Sequence, residues 1–139
     1  MAVSKPPIRA TLTWQGDLRF RATTGDHEII FDSESAAGPS PPQAVAMALA
    51  GCMAIDCVSF LQKMKCVITE FKLDITGERN PTPPQYYTKI EMVIHISGEN
   101  ITPKKMDRVI SLSQEKYCSV YHSLRKDLKV EVSYIIENP

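Results

Sequence analysis

AMALAGCMAIDCVSF, residues 46–60, is apolar on almost every side of a helical wheel, yet it carries Cys52, Asp56 and Cys57. Between Ala44 and Leu61 the strongly polar residues are Asp56 and Ser59 alone. Ser40 is a good N-cap and Pro41 suits the first helical position. Gln62, Lys63 and Lys65 mark an exposed end. The stretch therefore predicts one long helix over 41–65. A helix that is apolar all round has to be covered all round.

The flanking sequence supplies part of that cover. Ile8, Ala10, Leu12 and Trp14 alternate with polar or small residues, as do Leu18, Phe20 and Ala22 with Arg19, Arg21 and Thr23. With His27–Asp32, and turns at Gln15-Gly16-Asp17 and Thr24-Gly25-Asp26, this predicts three short strands. Beyond the helix, Phe71, Leu73 and Ile75 alternate with polar residues, and Ile90, Met92, Ile94 and Ile96 do the same after the turn Pro81-Thr82-Pro83-Pro84. Thr102-Pro103 opens a second helix with Met106, Val109 and Ile110 on one face; it is expected to end near Lys116, with Cys118 at the break and a short helical piece in SVYHSLRK. Leu128, Val130, Val132 and Tyr134 form a last strand. The predicted order is βββ-α-ββ-α-β, an α+β fold. One sheet covers only one side of the central helix, so a second copy of the chain is the simplest cover for the other.

Composition narrows the function classes. The 139 residues are read as one domain, 1–139, large enough for a real core. Lys plus Arg and Asp plus Glu are 16 each, with no basic block, which argues against nucleic acid or a membrane surface as partner. The apolar run Ala44–Ile55 stops at Asp56 and is read as too short for a membrane span. MAVSKPPIRA has no apolar core of a secretory signal, so a cytoplasmic location is expected. In that compartment, four cysteines are buried thiols, metal ligands or redox groups.

A cysteine reacts as its thiolate, and burial opposes ionisation. Cys52 therefore needs a cation or donors. Asp56, one turn on, opposes its ionisation if it points at the sulfur. Candidate cations are Arg19 and Arg21 in the second strand, and Lys116, His122 and Arg125 around Cys118. A thiolate that attacks a peroxide O–O bond becomes a sulfenic acid, which a nearby second cysteine condenses to a disulfide. Cys118 is a candidate for that resolving role. A helix beginning at Ser119 would lower its pKa. The bland reading is core filling, the default for Cys52 and more so for Cys57 and Cys66. Cys118 and His122 have metal-ligand spacing but no third ligand in view, so no metal and no cofactor are expected.

Two segments, GPSPPQAVAMALAGCMAIDCVSFLQKMK (38–65) and LSQEKYCSVYHSL (112–124), resemble the two cysteine signatures of the OsmC/Ohr superfamily. The Gly-Cys-x-x-Ile-Asp form at 51–56 resembles its YhfA-related OsmC-like branch. The resemblance implies curved antiparallel sheets around long central helices in an intertwined homodimer. It implies a peroxidatic Cys52 and a resolving Cys118, organic hydroperoxides as substrates, and a dithiol or lipoylated protein as reductant, in oxidative stress defence. Strongly active family members carry Asn-Pro-Glu at the start of the long helix; here the place is Ser40-Pro41-Pro42, followed by Gln43. The family arginine corresponds by a shifted alignment to Arg19, and by a further shift to Arg21. The catalytic set that the resemblance implies is Cys52, Cys118 and Arg19. The alternative from another class is a non-enzymatic stress protein of the same fold that binds a small apolar ligand.

Overall fold

The computed structural model describes residues 4–137; residues 1–3, part of the stretch read for a secretory signal, and 138–139 lie outside them. The elements follow the predicted order: β1 (Thr11–Trp14), β2 (Arg19–Thr24), β3 (His27–Asp32), α1 (Pro41–Lys63), β4 (Val67–Arg79), β5 (Tyr87–Glu99), α2 (Pro103–Leu112), a π-helical turn (Ser113–Tyr117), α3 (Ser119–His122) and β6 (Lys129–Ile136). The fold is α+β. The chain divides into two compact units, one ending at Val45 and the other starting at Ala46.

The first unit is an antiparallel sheet in the order β1-β2-β3. Thr24 pairs with His27, so β2 and β3 join through a two-residue turn whose first residue, Gly25, has φ +56. That left-handed value costs glycine nothing, and the primed turns of hairpins require it. Cross-strand register puts Leu12, Ala22 and Ile29 in one row and Trp14, Phe20 and Phe31 in the next. Both rows share one face, which is therefore apolar across these six residues, with Thr24 and His27 continuing it at the turn end. Where α1 begins, the Ser40 hydroxyl accepts from the Gln43 N–H, and Gln43 Oε1 accepts from the Ser40 N–H at 2.9 Å. This reciprocal capping box satisfies two backbone donors at the helix start.

The second unit is a three-stranded sheet, β4-β5-β6, packed against helices. β4 and β5 pair antiparallel with Leu73 opposite Ile94 and Ile75 opposite Met92. β6 pairs parallel with β5, Met92 opposite Val132 and Ile94 opposite Tyr134. This corrects the expectation of purely antiparallel sheets. The connection through α2 carries the chain back to the end of the sheet from which β5 started, so β6 runs in the same direction. Ile90, Met92, Ile94 and Ile96 are buried on the covered face, with Leu49, Met53, Cys57 and Leu61 of α1 and Met106, Val109 and Ile110 of α2 in the same core. The α1 residues recur every fourth position and form one stripe. Full burial of each large side chain stabilises by roughly 1.5–3 kcal/mol.

α1 falls within the predicted 41–65, but the reading of its apolar run as too short for a membrane span is corrected: by length and composition alone the 23-residue helix would suit one. The core helix of a soluble protein meets the same criterion. Its interior carboxylate, Asp56, is answered by a protein donor, the Ser113 hydroxyl.

Candidate active site

Cys52 and Asp56 lie one turn apart on α1, so they share a helix face. Cys57 lies on the Leu49–Leu61 stripe and is fully buried. Cys118 reaches α1 because α2 ends irregularly. From Ser113 the helix widens into a π turn, and the Cys118 N–H bonds the Ser113 carbonyl at 2.8 Å. The chain then leaves the helix at Cys118 (φ −74, ψ 97) and restarts as α3. Cys118 is the N-cap of that short helix, and its sulfur accepts from the Tyr121 N–H at 3.4 Å.

The result is a three-residue cluster. Cys52 Sγ, Cys118 Sγ and a carboxylate oxygen of Asp56 all lie within 4.8 Å of one another. The Ser113 hydroxyl donates to Asp56 Oδ2 at 2.9 Å, and Ser119 Oγ is 4.0 Å from Cys52 Sγ. Cys52 is half-buried and Cys118 fully buried.

The two thiols are pushed in opposite directions. Burial raises the pKa of Cys52, but the Val120 N–H, the Cys118 thiol and the Ser119 hydroxyl donate to its sulfur and hold it below the ordinary value, against the opposing charge of Asp56. Burial pushes Cys118 up to about 11; the Tyr121 N–H offsets part of this, and the neighbouring Cys52 and Asp56 add to the rise. Burial and the Asp56 charge take Cys57 to about 12. Cys52 is therefore the thiol of the pair that ionises first, and Cys118 remains a proton donor to it.

Residues 32–133, which include both cysteines, match the family described as OsmC-like protein. The chain belongs to the OsmC-like family. Protein YhfA of Escherichia coli K12 is 34% identical over 129 residues, which cover 91% of this chain and 96% of YhfA. Among solved structures, a hypothetical protein from Aquifex aeolicus VF5 superposes with TM-score 0.89 at 21% identity, covering 97% of this chain and 99% of its own. An organic hydroperoxide resistance protein OsmC from Legionella pneumophila superposes with TM-score 0.64 at 14% identity, covering 94% and 98%. At those identities the two structures establish the OsmC fold.

Within this OsmC-like chain, the structure brings Cys52 and Cys118 together. Arg19 is on β2 in the first unit, where its Nε donates to the buried Asp32 carboxylate at 3.0 Å. Arg21, on the same strand, is 3.8 Å from Glu28. The other candidate cations have their own partners: Lys116 lies over the Tyr117 ring, His122 sits edge-on to Tyr121, and Arg125 pairs with Asp127 and stacks on Tyr86. The donors to Cys52 in the second unit are hydrogen bonds. A helix does begin at Ser119, but Cys118 is raised, because burial outweighs one backbone donor. Gln43, which follows Ser40-Pro41-Pro42, also accepts from the Ser35 hydroxyl at 2.8 Å and so ties the capped helix start to the preceding loop. Ser113 and the Val120 N–H escaped the sequence reading. Ser113 is 57 residues from Asp56 and the Val120 donor is a backbone group, so neither leaves a local sequence signal.

Proposed function

We propose that the chain is a cysteine-based peroxidase that reduces organic hydroperoxides. The observation that carries this reading is the Cys52–Cys118 pair, with sulfurs within 4.8 Å and only the half-buried one lowered in pKa. The Cys52 thiolate attacks the peroxide O–O bond; the alkoxide leaves, takes a proton and departs as alcohol, and Cys52 becomes a sulfenic acid. Cys118 then attacks that sulfur. The sulfenic hydroxyl leaves as water, and the S–S bond forms. The proton that makes this water is the one Cys118 gives up, and the Asp56 carboxylate, within 4.8 Å of both sulfurs, is the base proposed to take it from Cys118 and pass it to the leaving hydroxyl. A dithiol or a lipoylated protein returns the disulfide to two thiols.

The reading extends to one functional domain, in a cytoplasmic homodimer active in oxidative stress. Arg19 is its proposed guanidinium partner for the substrate. With Ser40-Pro41-Pro42 in place of Asn-Pro-Glu, and the following Gln43 committed to the helix cap, there is no carboxylate there, and turnover is expected to be slower than that of strongly active family members. The test is titration of the reduced protein with an alkyl hydroperoxide, followed by mass mapping. One Cys52–Cys118 disulfide per equivalent is expected. Peroxide consumption no faster than that of a free thiol would leave the ligand-binding alternative standing.

A further inference from the structure

We propose that Cys52, Asp56 and Cys118 form a binding site for a thiophilic divalent cation of the zinc type. Two sulfurs and one carboxylate oxygen within 4.8 Å of one another are the donor set such an ion prefers. Zinc sits about 2.3 Å from thiolate sulfur and about 2.0–2.2 Å from carboxylate oxygen, which puts tetrahedral donors about 3.5–3.8 Å apart. Small side-chain rotations close the difference. Three protein ligands leave the fourth position open, as zinc sites that exchange a ligand do.

The surroundings meet the other requirements of such a site. Ser113 donates to one oxygen of Asp56 and leaves the other lone pairs for an ion. The Val120 and Tyr121 N–H groups donate to the two sulfurs. Outer contacts of this kind orient ligands and set affinity. Cys52 is partly open to solvent, which gives an entry path. Among the described residues Asp56 forms no ion pair, so a dication would offset its charge and part of the charge of the two thiolates, which lose their protons as the ion binds. The acid–imidazole cluster on the outer sheet face lacks this geometry: His95 turns Nδ1 to Glu137 and Nε2 to Asp74, so its nitrogens face different carboxylates. His122, read from the sequence as a possible ligand with Cys118, is exposed and outside the three-residue cluster.

A bound ion takes both thiolates. If the proposed peroxidase function holds, the ion and the Cys52–Cys118 disulfide exclude one another. The test titrates the full chain with cadmium, kept reduced by a phosphine, and follows the thiolate-to-cadmium charge-transfer band. One ion per chain is expected. Cys52→Ser, Cys118→Ser and Asp56→Asn should each weaken binding at least tenfold, and Cys66→Ser should leave it unchanged. In the unsubstituted chain, bound cadmium should protect Cys52 and Cys118 from iodoacetamide in mass mapping, a readout independent of any variant's folding. Unprotected cysteines, or full affinity in Asp56→Asn, would overturn the site. Peroxide-driven disulfide formation measured in a chelator tests the peroxidase reading separately.

Discussion

At the scale of single residues, Asp56 is the side chain that an all-apolar helix would not be expected to keep. Its charge opposes ionisation of Cys52, Cys57 and Cys118 alike. The opposition has a different effect on each thiol. Cys52 has three hydrogen-bond donors that overcome it, whereas Cys57 and Cys118 lie deeper and stay protonated. Alkylation at about pH 8 should therefore label Cys52 well ahead of Cys118 and Cys57, since the rate follows thiolate fraction. The sign of each substitution follows. Asp56→Asn removes a negative charge and should move the Cys52 alkylation midpoint to lower pH. Ser119→Ala removes a donor and should move it up. Rate against pH, mapped by mass spectrometry, checks both; a rise in the midpoint for Asp56→Asn would contradict the electrostatic account. On the proposed mechanism Asp56→Asn should also slow disulfide closure after the sulfenic acid has formed, because the Cys118 proton loses its nearest base.

At the scale of elements, capping and crossover connections position the cysteines. Thr102 caps α2 by accepting from the Lys105 N–H at 3.3 Å, and Thr102→Ala should destabilise the chain by ~1 kcal/mol, seen as a lower denaturant midpoint with an unchanged slope. Caps of this kind were legible: Ser40-Pro41 and Thr102-Pro103 announced both helix starts, and the alternation around Leu73 and Ile94 announced the paired strands. The direction of β6 was not legible, because Val130, Val132 and Tyr134 alternate identically in a parallel or an antiparallel pairing. The widening at Ser113–Tyr117 carries no residue signature either, since an i to i−5 bond is a backbone event. That turn sets how Cys118 meets α1, so the sequence supplied the candidate cysteines while their contact depended on tertiary geometry. The same holds for their pKa values: burial, which a short sequence window does not reveal, decides the direction for Cys118.

At the scale of the whole molecule, a single chain leaves large apolar surfaces uncovered. On α1, Met47 is 60% and Ile55 71% exposed, on the side away from the buried stripe. In the first unit, Trp14 is 65% and Leu12 55% exposed on the apolar sheet face. Exposed faces of this kind mark interaction sites, and a second copy is the occupant proposed for them. Gly51 separates this proposal from a solvent-facing helix. It is exposed on α1, between Met47 and Ile55 at four-residue spacing, and a Cβ added there would meet nothing within 4 Å in the single chain. If the chain worked alone, Gly51→Ala would simply improve the helix by about 0.5–1 kcal/mol. If a second copy packs on this face, Gly51→Leu should instead weaken the dimer, and Ile55→Asp should weaken it further by burying an unpaired charge. Sedimentation at micromolar concentration should find a dimer for the unsubstituted chain and at least tenfold weaker association for Ile55→Asp. A compact, folded monomer at that concentration, with Gly51→Leu no different, would mean that something other than a second copy covers α1.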